Sequence, residues 1–184
     1  MNEVGTIRDT EVLKAFKREA RKLGEEKYLL VELGLNTGLR ISDLLQLRVR
    51  DIRENGFIVK REQKTGKQTV IEFHPAVVRE IEKMIAGRGD DEYLFPSPWL
   101  SKRKEPVSYK TAYKWINRAA RAAGIKGPVG CHTLRKTYGY HFYKTYNDIG
   151  ILMAHFNHAT EKITMRYIGI TQERINAKTR KFRL

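Results

Sequence analysis

"VRDIRENGFIVKREQKTGKQTVIEF", residues 49–73, interrupts a helical chain and sets its fold class. On either side, apolar residues recur every three or four positions. Within it the period shortens, as it does in half-buried strands. "VRDI", "GFIVKRE" and "QTVIEF" read as three short strands. Asn55-Gly56 signals a hairpin, because a type I′ turn needs positive φ at both central residues. Lys64-Thr65-Gly66-Lys67 makes the next turn, and Pro75 ends the sheet.

The flanks read as helices. Asp9 or Thr10 can cap a helix over roughly 10–22, with Val12, Leu13 and Phe16 on one face. "EKYLLVELGLNTG" follows and stops near Gly38, and "RISDLLQLRV" restarts with Ser42 or Asn36 as available caps. After the sheet come helices in "PAVVREIEKMIAG", "SYKTAYKWINRAARAAG", "TLRKTYGYHFYKTY", "DIGILMAHF" and residues 160–170. The expected fold is therefore α+β: mostly helical, with a small three-stranded antiparallel sheet toward the N-terminal side. Residues 1–170 read as one domain and 171–184 as a basic C-terminal tail.

Composition narrows the function. The chain has 184 residues, 41% of them hydrophobic, enough for one domain with a core. Lys and Arg total 36 against 21 Asp and Glu, a net charge of +15. Such an excess repels itself unless a polyanion is the partner, and nucleic acid is the first candidate. No apolar run approaches the ~20 residues that span a bilayer. The start, "MNEVGTIRDTEVL", lacks the apolar core of a secretory signal. Cys131 is the single cysteine, so an internal disulfide and a Cys-based zinc site are excluded, and a reducing cytosol fits.

Several residues then stand out, each with a bland alternative. In "CHTLRKTYGYHF", His132 and Arg135 are three apart and share a helix side. They could hold a phosphate and move a proton, or be a surface pair. Arg40 follows a glycine turn and begins a helix, where phosphates bind well. Asp43 could pair with it or simply favour the helix dipole. Tyr167, in "EKITMRYIGI", is either a core aromatic or a nucleophile.

Together, "TGLRISDLLQL", "HTLRKT" and "HFNHATEKITMRYIGI" resemble the three active-site segments of the tyrosine recombinases, or phage-type integrases. In that family an Arg follows a Thr-Gly-Leu turn, a His-x-x-Arg comes later, and a His precedes the nucleophilic Tyr by nine positions. Here that interval runs from His158 to Tyr167. A Lys is expected in the hairpin between the second and third strands, and Lys64 matches better than the neighbouring Lys67. Two departures are mild: Asn157 stands where Gly is frequent, and Asp43 where Glu is frequent. Most members also carry an N-terminal helical clamp domain, so the chain resembles an excised fragment or one of the short invertases of phase-variation switches.

The resemblance implies a site-specific recombinase that cleaves and rejoins DNA through a covalent 3′-phosphotyrosyl intermediate. It assigns Arg40, Lys64, His132, Arg135, His158 and Tyr167 to catalysis, with Asp43 supporting, and implies no metal or other cofactor. Tyr167 would attack and His132 would take its proton. Arg40 and Arg135 would bind the non-bridging oxygens, Lys64 would protonate the leaving 5′-oxygen and His158 would hydrogen-bond the phosphate. Lys102, Arg103, Lys104, Lys110, Lys114, Arg118 and Arg121 read as backbone-binding residues. The expected partner is double-stranded DNA, with assembly from dimer to tetramer on it, tail docking between protomers, and accessory DNA-bending proteins. The expected location is cytoplasmic, at the nucleoid, with no membrane contact. Two other classes share the features: a non-catalytic DNA-binding accessory protein, and a type IB topoisomerase-like nicking and closing enzyme.

Overall fold

"YLLVELGL" is apolar almost all round, the pattern of a helix enclosed by others. The computed structural model, which describes residues 5–53, 57–61, 68–99, 104–170, 176 and 179–183, places it so. Helix α2 (Glu25–Thr37) buries Leu29, Leu30, Val31 and Leu33. It packs against α1 (Thr10–Lys22), α5 (Pro75–Ile85), α6 (Tyr109–Ala122) and α7 (Cys131–Tyr146). Asp9 starts α1, its carboxylate accepting from the backbone N–H groups of Glu11 and Val12. Ser108 likewise caps α6 by accepting from Thr111. His74 caps α5 through Ala76 N–H.

A second, smaller apolar cluster gathers Leu152, Phe156 and Ile168. It joins α8 (Ile149–Phe156) and α9 (Glu161–Tyr167) to α7, with Tyr138, Tyr140 and Tyr143 packed around it. Tyr146 stays exposed. Gly139 permits the approach. A Cβ there would lie 2.7 Å from Ile168 Cγ2 and 2.8 Å from Phe156 Cε2.

Residues 5–8 run along α7 as a strap. Gly5 N–H donates to Pro128 O at 2.8 Å and Ile7 N–H to Thr137 Oγ1 at 3.0 Å. His141 Nε2 meets Ile7 O at 3.0 Å, and Arg8 Nη2 donates to Gly169 O at 2.9 Å.

The sheet departs from expectation. The described residues form two antiparallel strands, β1 (Phe57–Arg61) and β2 (Gln68–Glu72), with Phe57 opposite Glu72 and Arg61 opposite Gln68. The stretch expected as a first strand, "VRDI", instead forms a helical turn, α4 (Arg50–Arg53). Val49 and Ile52 are both buried, and their spacing of three suits a turn better than a strand. Asp51 Oδ2 accepts from Arg48 N–H at 2.7 Å, while Val49 and Arg50 N–H donate to Glu92 O and Asp90 O. Those same bonds, with Leu94 N–H to Leu47 O, limit the helix expected over "RISDLLQLRV" to one turn, α3 (Ile41–Leu44). Neither Ser42 nor Asn36 caps it; the N-cap is Arg40. Among the described residues no helix is long and apolar enough to cross a membrane.

Overpacking a close contact typically costs about 1–3 kcal/mol. Gly139→Ala should therefore lower unfolding stability by about that amount in urea titrations, and Gly150→Ala, at an exposed position of α8, should cost less.

Candidate active site

The turn between α2 and α3 sets the first site residue. Gly38 ends α2 at φ 62°, a left-handed conformation, and a Cβ there would come within 2.4 Å of the Tyr138 ring. Both facts require glycine. Two side chains from later in the chain grip this turn. His155 Nε2 donates to Thr37 O at 2.7 Å, and Arg135 Nη1 donates to Gly38 O at 2.5 Å. Arg40, two residues on, is half-buried, and Asp43 is 3% exposed within α3.

Helix α7 supplies the next group. His132 and Arg135 both lie on it, three residues apart as expected. Arg135 is 5% exposed. Its Nη2 donates to Phe156 O at 3.1 Å, and its guanidinium lies 4.2 Å from the Phe156 ring centroid. His158 follows α8 through Asn157, which takes φ 52°. That left-handed position explains why glycine is suited there and why Asn, which tolerates it, can replace it. Thr164 Oγ1 holds His158 Nδ1 at 3.0 Å.

Tyr167, the last residue of α9, comes back to α7. Its hydroxyl lies 3.4 Å from His132 Nδ1. Its ring meets Phe156 edge-on at 5.5 Å and His158 at 5.2 Å between centroids. Electrostatics tie the group together. Burial pushes the Tyr167 phenol above its ordinary 10.0, and Arg135 and Arg40 draw it partly back. His132 is lowered from 6.5 by desolvation, then by Arg135, Lys136 and Arg40. His158 is lowered by desolvation, then by Arg135 and Arg40. Both imidazoles are thus neutral at pH 7. Neutral His132 can accept the Tyr167 proton at Nδ1.

The profile of the phage integrase family matches residues 7–174. The chain belongs to the phage integrase family. It is 36% identical over 182 residues to the probable integrase/recombinase YoeC of Bacillus subtilis, covering 99% of this chain and 98% of that protein. It is 35% identical over 149 residues to the tyrosine recombinase XerA of Pyrococcus furiosus, covering 80% of this chain. It spans about half the length of that relative, 51%. Among solved structures, an XerA recombinase superposes with a TM-score of 0.77 at 21% identity, over 100% of this chain and 66% of that one. The catalytic domain of bacteriophage HP1 integrase gives 0.64 at 20% identity, over 97% and 95%. These likenesses show a shared fold.

The integrase fold gathers five of the six expected site residues, Arg40, His132, Arg135, His158 and Tyr167, around one cluster. Lys64 lies outside the described residues, as do Lys102 and Arg103. Lys104, Lys110, Lys114 and Arg118 are exposed, the last three spaced by four along α6. The first residue of that helix, Tyr109, lies beside Cys131, one residue before His132. Burial pushes the Cys131 thiol up to about 11, which leaves it unreactive. Arg121 is turned elsewhere: its Nη1 donates to Ile125 O and to Gly127 O, closing the end of α6.

Three contributors escape a reading by motif. His155 anchors the Arg40 turn. Thr164 orients His158. Lys136, 6% exposed, sits with Nζ 5.5 Å from the Tyr167 ring centroid. Only Lys136 left a signal in the sequence, its spacing of four from His132.

In NMR titrations His132 and His158 should therefore show midpoints below 6.5, and Arg40→Ala should raise both. Because the folded values lie below the unfolded one, the unfolded chain binds more protons there, and stability should fall as pH drops through 6.5.

Proposed function

We propose that this chain is the catalytic domain of a site-specific DNA recombinase that breaks and rejoins DNA strands by transesterification. The observation that carries the reading is the Tyr167 hydroxyl at 3.4 Å from His132 Nδ1, beneath the fields of Arg40 and Arg135. The Tyr167 oxygen bonds to phosphorus, its proton passes to His132, and the bond to the 5′-oxygen breaks. The product is a 3′-phosphotyrosyl ester that a new 5′-hydroxyl can attack, so bond energy is kept rather than lost to water. Lys64 is proposed to protonate the leaving oxygen and His158 to bond the phosphate. Asp43 supports the Arg40 turn.

Arg40 and Arg135 neutralise the charge that grows on the non-bridging oxygens, which is the work a metal ion does in many phosphoryl-transfer enzymes. Arg135 is fixed for this by its two carbonyl bonds. The stripe Lys110, Lys114 and Arg118, with Lys102, Arg103 and Lys104 before it, would hold the duplex backbone as it leaves the site. Arg121 contributes least, given its carbonyl bonds. The DNA complexes among the structural relatives, such as XerH bound to difH and a lambda integrase dimer on a core site, favour this partner and self-association on it.

The proposal extends to the C-terminal residues 171–184 as a docking tail. Phe182 is 71% exposed, which supports its being covered from outside this protomer. A neighbouring protomer would cover it in the assembly.

Tyr167→Phe should abolish the covalent adduct with a nicked suicide substrate while gel-shift affinity stays within about twofold, since only the hydroxyl is lost. An adduct formed by the Phe variant would move the nucleophile elsewhere.

Arg40→Ala and Arg135→Ala should each slow cleavage by about 10²–10³, the usual cost of one charge-stabilising donor. Excess EDTA should leave the wild-type rate unchanged in the same single-turnover assay, and a strict Mg²⁺ requirement would count against the arginine scheme.

A further inference from the structure

Tyr167 lies across one turn of α7. Its hydroxyl end reaches His132, and the face of its ring reaches Lys136. The two α7 residues are four apart, one above the other on a single helix face. Gly139, three residues further along that face, lets Ile168 close against the helix. The nucleophile is therefore held at three levels: hydroxyl by imidazole, ring by ammonium, following residue by glycine.

Lys136 is the buried charged member of this seat. A lysine 6% exposed in a small domain is rare, because desolvating an ammonium is costly. Burial also makes its interaction with an aromatic face stronger than on a wet surface. The attraction is to the ring's π-face, and it grows as the phenol loses its proton and the ring gains charge. The hydroxyl oxygen gains the same benefit at longer range.

We infer that Lys136 is a positioning residue for the reaction: its ammonium holds the Tyr167 ring in the attacking pose and favours the negative charge that develops on it. This rests on the reading of Tyr167 as the nucleophile. Lys136 acts on the attacking group through the ring. It is distinct from the proposed hairpin lysine, which acts on the leaving group.

The two roles separate experimentally. Lys136→Met keeps the aliphatic stem and removes the charge; Lys136→Arg keeps the charge. Single-turnover adduct formation on a suicide substrate should slow about tenfold in Lys136→Met, the scale of one desolvated cation–π contact. Gel-shift affinity should hold within about twofold. Lys136→Arg should recover most of the rate. A substrate with sulfur in place of the bridging 5′-oxygen, which leaves without a proton, should not rescue Lys136→Met.

Wild-type rate in Lys136→Met, or an equal loss in Lys136→Arg, would overturn the inference. So would rescue by the sulfur substrate, which would make Lys136 the general acid. If Lys136→Met does not fold, Lys136→Gln takes its place in the same assays. Absence of any adduct with wild-type protein would overturn the nucleophile reading itself, and this inference with it.

Discussion

One buried cation joins the parts of this site. Arg135, on α7, donates to Gly38 O at the end of α2 and to Phe156 O at the end of α8. It thereby ties the turn that sets Arg40 to the turn that sets His158. Each carbonyl sits at a helix C-terminus, where main-chain acceptors lack partners and the dipole favours positive charge. The guanidinium meets both needs at once, with the Phe156 ring below it. A lysine could not copy the geometry, since it lacks the planar fork. Removing one partner of such a buried arrangement leaves the others unsatisfied, so its loss is structural as well as chemical.

The same cation then shapes the acid–base balance. Arg135 and Arg40 together lower both His132 and His158, so neither imidazole carries charge near neutrality. Two arginines in one pocket would otherwise gather two more cations around them. Tyr167 feels the opposite pull, from burial upward and from the arginines downward. A phenol that keeps its proton beside a base that lacks one is a resting arrangement ready for an anion to arrive. A phosphodiester would supply the negative charge that this cluster is built around.

Much of this could be read from the chain, for reasons that differ by residue. Gly38 and the nine-residue interval from His158 to Tyr167 are local constraints, so their spacing survives in the sequence. The helix faces of α1 and α6 are equally local, with Phe16 and Ile116 where a 3.6-residue period puts them. The first strand was not legible, because Arg50–Arg53 takes its shape from bonds to Glu92 and Asp90, some forty residues away. His155 was hidden for a similar reason: its partner, Thr37 O, is a main-chain atom and leaves no trace in residue type. Arg121 looked like one more cation on a polar face, and only the path of the following loop gives it carbonyls to hold.

The strap over α7 has a consequence for how the molecule comes to exist. Ile7 pairs with Thr137 across 130 residues, and Arg8 with Gly169 across 161. Contacts so distant in sequence slow folding, since the intervening chain must be gathered before they reward it. On the ribosome, at about 5–20 residues per second, residues 5–8 would wait many seconds for α7 and longer for the end of α9. The helix that carries Tyr167 is thus locked last, after the rest of the site exists. A nascent chain interrupted before α9 would hold its cationic core without Tyr167, and so would carry groups that grip a polyanion without the proposed nucleophile.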